Sequence, residues 1–96
     1  MKQYLITAYD FTDANALERR LAARPFHFDK ARELKAQNRF IKGGAILNDE
    51  GKMIGSVMLM QFENEEALEN WKQNEPYIIQ RVWEKIDIRP FMVADV

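Results

Sequence analysis

Apolar and polar positions change their period repeatedly along this chain, and each change marks an element. Met1–Asp10 holds the run Tyr4-Leu5-Ile6-Thr7-Ala8-Tyr9, rich in strand formers and closed by Asp10. From Asp13, which reads as an N-cap, the spacing turns helical. Ala14, Ala16, Leu17 and Leu21 predict a short amphipathic helix to about Ala22. Arg24-Pro25 interrupts it, and Pro25 suits the first turn of a second helix, where its missing N–H would have no partner anyway. That helix runs to about Asn38, with His27, Ala31, Leu34 and Asn38 along one stripe. Arg39–Leu47 reads as the second strand, broken or bulged at Gly43-Gly44. Asn48–Lys52 lies between two apolar runs and predicts a hairpin loop. Ile54–Phe62, the third strand, is apolar at nearly every position. Asn64 then caps a helix to about Gln73, with Ala67, Leu68 and Trp71 facing inward, and Pro76 ends it. Tyr77–Trp83 is a connector with room for a helical turn, and Glu84–Val93 is the last strand, with Ile86 and Ile88 on one face.

The order β, broken α, β, β, α, β with a central hairpin is the ferredoxin-like split βαβ pattern of the α+β class. It predicts a four-stranded antiparallel sheet with helices on one face. Val57-Met58-Leu59-Met60 puts apolar side chains on both sides of the third strand, where a half-solvated strand would alternate. Soluble proteins rarely leave such a face bare, so the pattern predicts a homodimer through the sheet face. At 96 residues the chain, 1–96, is read as a single domain, and 47% apolar content is enough for a packed core.

Composition narrows the chemistry. With no cysteine, disulfides, thiol catalysis, iron–sulfur clusters and cysteine zinc sites are excluded, and one histidine excludes a multi-histidine metal site within one chain. No apolar run reaches the ~18 residues of a membrane span and no leader pattern opens the chain, so a soluble, cytoplasmic protein without a membrane role is expected. Residues 1–48 carry nine Lys or Arg against five acids, and residues 49–96 carry five against ten. Two solvated helices with complementary faces would account for this, as would a basic mouth that attracts an anion. The third strand lacks the alternating basic and aromatic residues of an RNA-recognition strand, so no nucleic-acid partner is expected.

His27 is the only side chain whose ordinary pKa, ~6.5, lies near neutrality. In the first turn of its helix, the positive end of the macrodipole would oppose imidazolium while a nearby carboxylate would favour it. Asp29, two positions on, points away, so a partner for His27 must come from elsewhere. Glu75-Pro76-Tyr77, where the acidic helix stops, is the best local candidate, although a plain helix terminator has the same composition. Gly43-Gly44 and Gly55-Ser56 match no phosphate-cradling loop and read as bulges or points of close approach. Met58 and Met60 read as core or interface.

Taken together, Arg24 followed by His27, Leu34, Asn38-Arg39, Gly43-Gly44, Gly55-Ser56, Trp71, Glu75-Pro76-Tyr77 and Pro90-Phe91 resemble the YciI-like family over essentially the whole chain. That family belongs to the dimeric α/β-barrel superfamily of ferredoxin-like folds. The resemblance implies an enzyme with a His–Asp pair whose Asp lies in an Asp-Pro-Tyr motif. His27 matches the histidine, and Glu75, one methylene longer, stands at the Asp position. Related branches include dechlorinating enzymes of aromatic degradation, muconolactone isomerases and cofactorless monooxygenases. The expectation is general acid/base chemistry by a His27–Glu75 dyad on a small aromatic or anionic substrate, of isomerisation, elimination or dechlorination type. Arg24, Arg39, Ser56 and Tyr77 would bind the substrate, and no cofactor or metal is called for. The alternative is a non-catalytic dimeric module that binds a small metabolite or a protein partner.

Overall fold

The computed structural model describes residues 1–96. The elements are β1 (Lys2–Asp10), α1 (Ala16–Ala36), β2 (Phe40–Leu47), β3 (Met53–Phe62), α2 (Glu65–Asn74), α3 (Pro76–Ile79) and β4 (Trp83–Phe91). The strands form one sheet in the order β2-β3-β1-β4, antiparallel at every junction. Alternation decides which face is covered. Tyr4, Ile6 and Ala8 on β1 and Met58, Met60 and Phe62 on β3 are buried beneath the helices, where Leu68, Trp71, Tyr77, Val82 and Trp83 join them. Each of the larger aliphatic and phenyl side chains among them contributes roughly 1.5–3 kcal/mol on full burial. A one-residue slip of β3 would turn Met58, Met60 and Phe62 outward, so the register is strongly held.

Local chemistry sets the turns. Asn48 Oδ1 accepts from the backbone N–H groups of Glu50 at 2.9 Å and Lys52 at 3.0 Å, and Gly51 takes φ 79° to complete the hairpin loop. Asn64 Oδ1 accepts from Ala67 N at 2.9 Å and caps α2. α1 ends in a Schellman turn: Asn38 takes φ 62°, its N–H donates to Lys35 O, and Arg39 N donates to Leu34 O.

Several expectations are corrected. The first helix is not broken; α1 runs unbroken for 21 residues with Pro25 inside it. Proline removes the N–H that would donate to Leu21 O, but Leu21 is 50% exposed and Pro25 is exposed too, so water reaches that side of the helix. The buried stripe is Ala16, Arg20, Ala23, His27 and Leu34, not Leu17 and Leu21. Asp13 lies before the helix rather than capping it; its carboxylate accepts from Asn15 N at 3.2 Å and from Arg19 Nη1 and Nη2 at 2.7 and 2.8 Å. The irregularity in β2 falls at Ile41, between the Phe40–Met60 and Lys42–Leu59 pairs, and a second one follows Ile46. Gly43 and Gly44 pair regularly with Met58 and Val57.

The charge halves do not meet as helix faces. Lys30–Glu33, Arg32–Asp29 and Lys72–Glu69 are pairs within one helix, and no ion pair joins α1 to α2. On the uncovered sheet face, half-buried Leu5, Val57 and Leu59 form an apolar centre. Thr7, Arg89 and Asp87 share their rows, so that face is mixed rather than wholly apolar.

Arg19, by its hydrogen bonds above all, lowers the Asp13 carboxyl from 3.8 to about 2. A lowered folded-state pKa stabilises above the unfolded value and is lost as the pH falls through the folded one. In urea titrations the stability difference between wild type and Asp13→Asn is expected to be constant above about pH 5. It is expected to decline from near 3.8 and be gone below about 2. A difference independent of pH would place the stabilisation elsewhere.

Candidate functional site

Two polar clusters lie on the covered face of the sheet, and α1 contributes to both. Arg20 and His27 stand seven residues apart, two turns along the same stripe, and both are buried. The first cluster joins α1 to the junction of α2 and α3. Asn74 ends α2, and Glu75 turns the chain with extended backbone before Pro76 opens α3 at its first position. Glu75 then caps α3, its Oε1 accepting from Tyr77 N at 3.2 Å. The same oxygen meets His27 Nδ1. At 1% exposure a glutamate needs such donors, because an unpartnered buried carboxylate is strongly disfavoured.

The imidazole is fixed from its faces as well. His27 stacks on the Tyr77 ring with centroids 4.0 Å apart and planes 11° off parallel, and Trp83 meets it edge-on at 6.0 Å. With Nδ1 committed to Glu75, Nε2 is the nitrogen left to the adjoining cavity. Because α1 is continuous, His27 lies mid-helix and not in a first turn.

The second cluster ties α1 to β1 and β3. Arg20 Nη1 donates to Asp10 Oδ1 at 2.8 Å and to Oδ2 at 3.1 Å, and Arg20 Nη2 donates to Ser56 Oγ at 2.8 Å. Trp83 Nε1 donates to the same Ser56 Oγ at 3.2 Å. The Arg20 guanidinium also lies over the Tyr77 ring, 4.8 Å from its centroid, so Tyr77 packs against both clusters. Burial pushes the Asp10 carboxyl above its usual value and outweighs the opposing pull of Arg20. Burial likewise raises the Tyr77 phenol above 10.0, which keeps it protonated at neutral pH.

Between α1 and the β2–β3 edge lies a cavity of about 140 Å³. His27, Tyr77, Arg20, Arg24 and Ser56 give it a polar wall, and Phe28, Phe40 and Met58 an apolar one. An apolar cavity of about 150 Å³ holds a benzene molecule, so this volume is of the order of one small ring. Gly43 helps to shape it: a Cβ there would sit 2.8 Å from Phe40 Cζ and 3.1 Å from Val57 O.

Of the residues singled out in the sequence, His27, Glu75, Tyr77, Ser56 and Arg24 come together here, Arg24 with its guanidinium 4.7 Å from the Phe28 ring centroid. Arg39 does not. It donates to Glu63 Oε1 and Oε2, each at 2.9 Å, beside a separate cleft between α1 and α2. Asp10, Arg20 and Trp83 were not anticipated. A signal for the first two exists: Asp10 continues the inward alternation Tyr4-Ile6-Ala8, and Arg20 is spaced four and seven residues from Ala16 and His27. A carboxylate and a guanidinium on two buried faces have to find each other.

A sheet in the order β2-β3-β1-β4 with its helices on one face makes this a ferredoxin-like α+β protein. The model of the YCII-related domain matches residues 2–92, and the chain belongs to that family. It is 34% identical over 94 residues to an uncharacterised protein of Haemophilus influenzae. It is 33% identical over 94 residues to protein YciI of Escherichia coli. Each match takes in 92% of this chain and 94% of the relative. Among solved structures it resembles 5-chloro-2-hydroxyhydroquinone dehydrochlorinase of Burkholderia phenoliruptrix, in complex with 2,5-dihydroxybenzoquinone. The TM-score is 0.81 at 21% identity, over 96% of this chain and 95% of that one. A dimeric ferredoxin-like protein of unknown function from Jannaschia follows with a TM-score of 0.59 at 15% identity, over 97% and 100%. At these identities the structural likenesses show the fold alone.

Removing Asp10 would leave Arg20 charged and 2% exposed without its counter-ion. Asp10→Ala is expected to cost about 3–5 kcal/mol in urea denaturation at neutral pH. A loss below about 1 kcal/mol, the range of exposed pairs, would mean that water reaches the pair.

Proposed function

We propose that this protein is an enzyme that moves protons on a small, single-ring substrate, with His27 as general base and acid and Glu75 as its orienting partner. The observation that carries the reading is the His27–Glu75 contact at the wall of a ring-sized cavity. Glu75 accepts the Nδ1 proton and so presents Nε2 as the basic nitrogen. When Nε2 takes a proton, the adjacent carboxylate stabilises the imidazolium, and the stacked Tyr77 keeps the ring from turning away. Arg24, Ser56 and Tyr77 supply the positive charge and hydrogen bonds that hold an anionic or carbonyl oxygen.

Isomerisation or elimination fits such a site, because a proton taken from a ring hydroxyl can be returned to a ring carbon by the same imidazole. Loss of HCl from a chlorinated hydroxyhydroquinone is a reaction of this kind. The ring loses one proton and chloride with the C–Cl electron pair, becomes a quinone, and needs no outside oxidant. The dehydrochlorinase likeness, with 2,5-dihydroxybenzoquinone bound in that structure, supports this class of reaction.

The experiment is chloride release from 5-chloro-2-hydroxyhydroquinone, followed alongside the quinone absorbance. Wild type is expected to turn it over, and His27→Ala to lose about 10²–10⁴-fold in kcat with an unchanged circular dichroism spectrum. Glu75→Gln, which keeps a hydrogen-bond acceptor but loses the charge, is expected to lose less. Binding of the ring without turnover would favour a module that binds a small metabolite, and full activity in His27→Ala would overturn the role of His27 as base and acid.

The same reading includes a homodimer through the uncovered sheet face. Leu5, Val57 and Leu59 form its apolar centre, and Tyr9 and Phe91 are 47% and 41% exposed. Lys85, Asp87 and Arg89 carry both signs of charge beside them, as a self-complementary interface requires. The Jannaschia neighbour, described as dimeric, supports it. Sedimentation at micromolar concentration is expected to give twice the 11.3 kDa chain mass, and Leu59→Glu a monomer. A wild-type monomer would overturn the dimer.

A further inference from the structure

Ser56 Oγ has two lone pairs and one proton. Arginine and the tryptophan indole can only donate, so the contacts from Arg20 Nη2 and Trp83 Nε1 both place hydrogens on this oxygen. Both lone pairs are then taken. The remaining O–H has no acceptor in the chain, and Ser56 is 3% exposed and lines the cavity. An unmet buried donor is disfavoured, so whatever fills the cavity has to offer it an acceptor. Opposite in sense, in the tautomer the proposed mechanism uses, with Nδ1–H donating to Glu75, His27 keeps Nε2 as an acceptor, and His27 lines the same cavity.

Resting on the function proposed above, we infer that Ser56 is an obligatory hydrogen-bond donor to the ligand. The cavity therefore selects a ring with an acceptor oxygen, a carbonyl or a phenolate, at Ser56 and a proton-bearing oxygen at His27. Hydroxyquinones and hydroxyenones are the class that combines the two. Arg20 and Trp83 are positioning residues in this arrangement. They act on the ligand through Ser56 by denying its hydroxyl the acceptor role, and Asp10 holds the Arg20 fork in place. A donor group of the ligand, such as an ammonium, finds no lone pair at Ser56. This gives the buried Asp10–Arg20 pair a function that proton transfer at His27 does not use.

The test titrates two probes of ring size, 2,5-dihydroxybenzoquinone and toluene, into wild type and variants by calorimetry. Ser56→Ala is expected to weaken the quinone roughly ten-fold or more relative to toluene, because the quinone oxygen loses its O–H donor and toluene never used it. Ser56→Thr, which keeps the hydroxyl, is expected to restore the quinone preference. If Ser56→Ala does not fold, Trp83→Phe decides with benzylammonium as a third probe: it returns one lone pair to Ser56, and the preference for the quinone over this donor-bearing ring is expected to fall several-fold. An unchanged preference in the folded variant, or wild type that binds toluene as tightly as the quinone, would overturn the inference. His27→Ala separates this result from the catalytic reading. It is expected to lose turnover and keep the Ser56-dependent preference; preference without His27-dependent turnover overturns the catalytic reading alone, and the reverse overturns the donor role of Ser56 alone.

Discussion

The site depends on one helix remaining a helix through Pro25. Arg20 and His27 lie on either side of that proline, seven residues and roughly 10 Å of axial rise apart. Only a continuous α1 puts both on one stripe, with Arg20 over Asp10 and Ser56 and His27 over Glu75. A break at Arg24-Pro25 would free the two halves to rotate independently and dissolve that alignment. An interior proline costs about 3 kcal/mol or more, through its missing N–H and the clash of its ring with the i−4 carbonyl. Here Leu21 and Pro25 lie on the exposed side of α1, away from the stripe that is buried on both sides of the proline.

Once α1 is fixed, the interior becomes unusually polar for its size. Asp10, Arg20, His27, Ser56 and Glu75 are all buried among Tyr77, Trp83 and Met58. Buried ion pairs seldom stabilise a fold beyond what well-packed apolar side chains would supply. What these groups do is restrict one another. Tyr77 stacks on His27, lies under Arg20, meets Trp83 edge-on, and receives a cap from Glu75 at its own N–H. A shift in any one of them moves the others, and that coupling holds an imidazole and a hydroxyl at set points on a small cavity. The glycines work toward the same end, since Gly43 leaves room for the Phe40 ring that closes the apolar wall.

The element order and the sheet were legible because they rest on period, and the switches at Asp13, Arg39 and Asn64 are sharp. Glu75 was legible for a local reason: a proline directly after it fixes where the chain turns and so where the carboxylate stands. The continuity of α1 was not, because the cost of Pro25 is offset by the burial of the helix on both sides of it, from Ala16 to Leu34, and that is a tertiary fact. Arg39 illustrates a different limit. Nothing in a run of basic residues says which one faces a cavity, and its assignment waited on Glu63, 24 positions away, arriving beside it at the end of β3. Arg20 was hidden by the habit of reading apolar residues as the buried stripe. Leu21 beside it points to solvent, and the guanidinium takes the inner position because Asp10 awaits it.

The carboxylate beside His27 is a glutamate where the family resemblance leads one to expect aspartate, and the hydrogen bonds show how the longer side chain is used. Tyr77 N and His27 Nδ1 converge on one oxygen, Glu75 Oε1. The backbone donor belongs to the first turn of α3, whose start is set by Pro76. It therefore serves as an anchor that does not depend on side-chain rotamers. With Oε1 pinned from the backbone, the extra methylene adds reach without adding freedom, since the far end of the side chain is tied down. The orientation of the imidazole thus traces back to a peptide N–H. A short helix of four residues, Pro76–Ile79, exists to hold that N–H in place between the end of α2 and the return of the chain to β4.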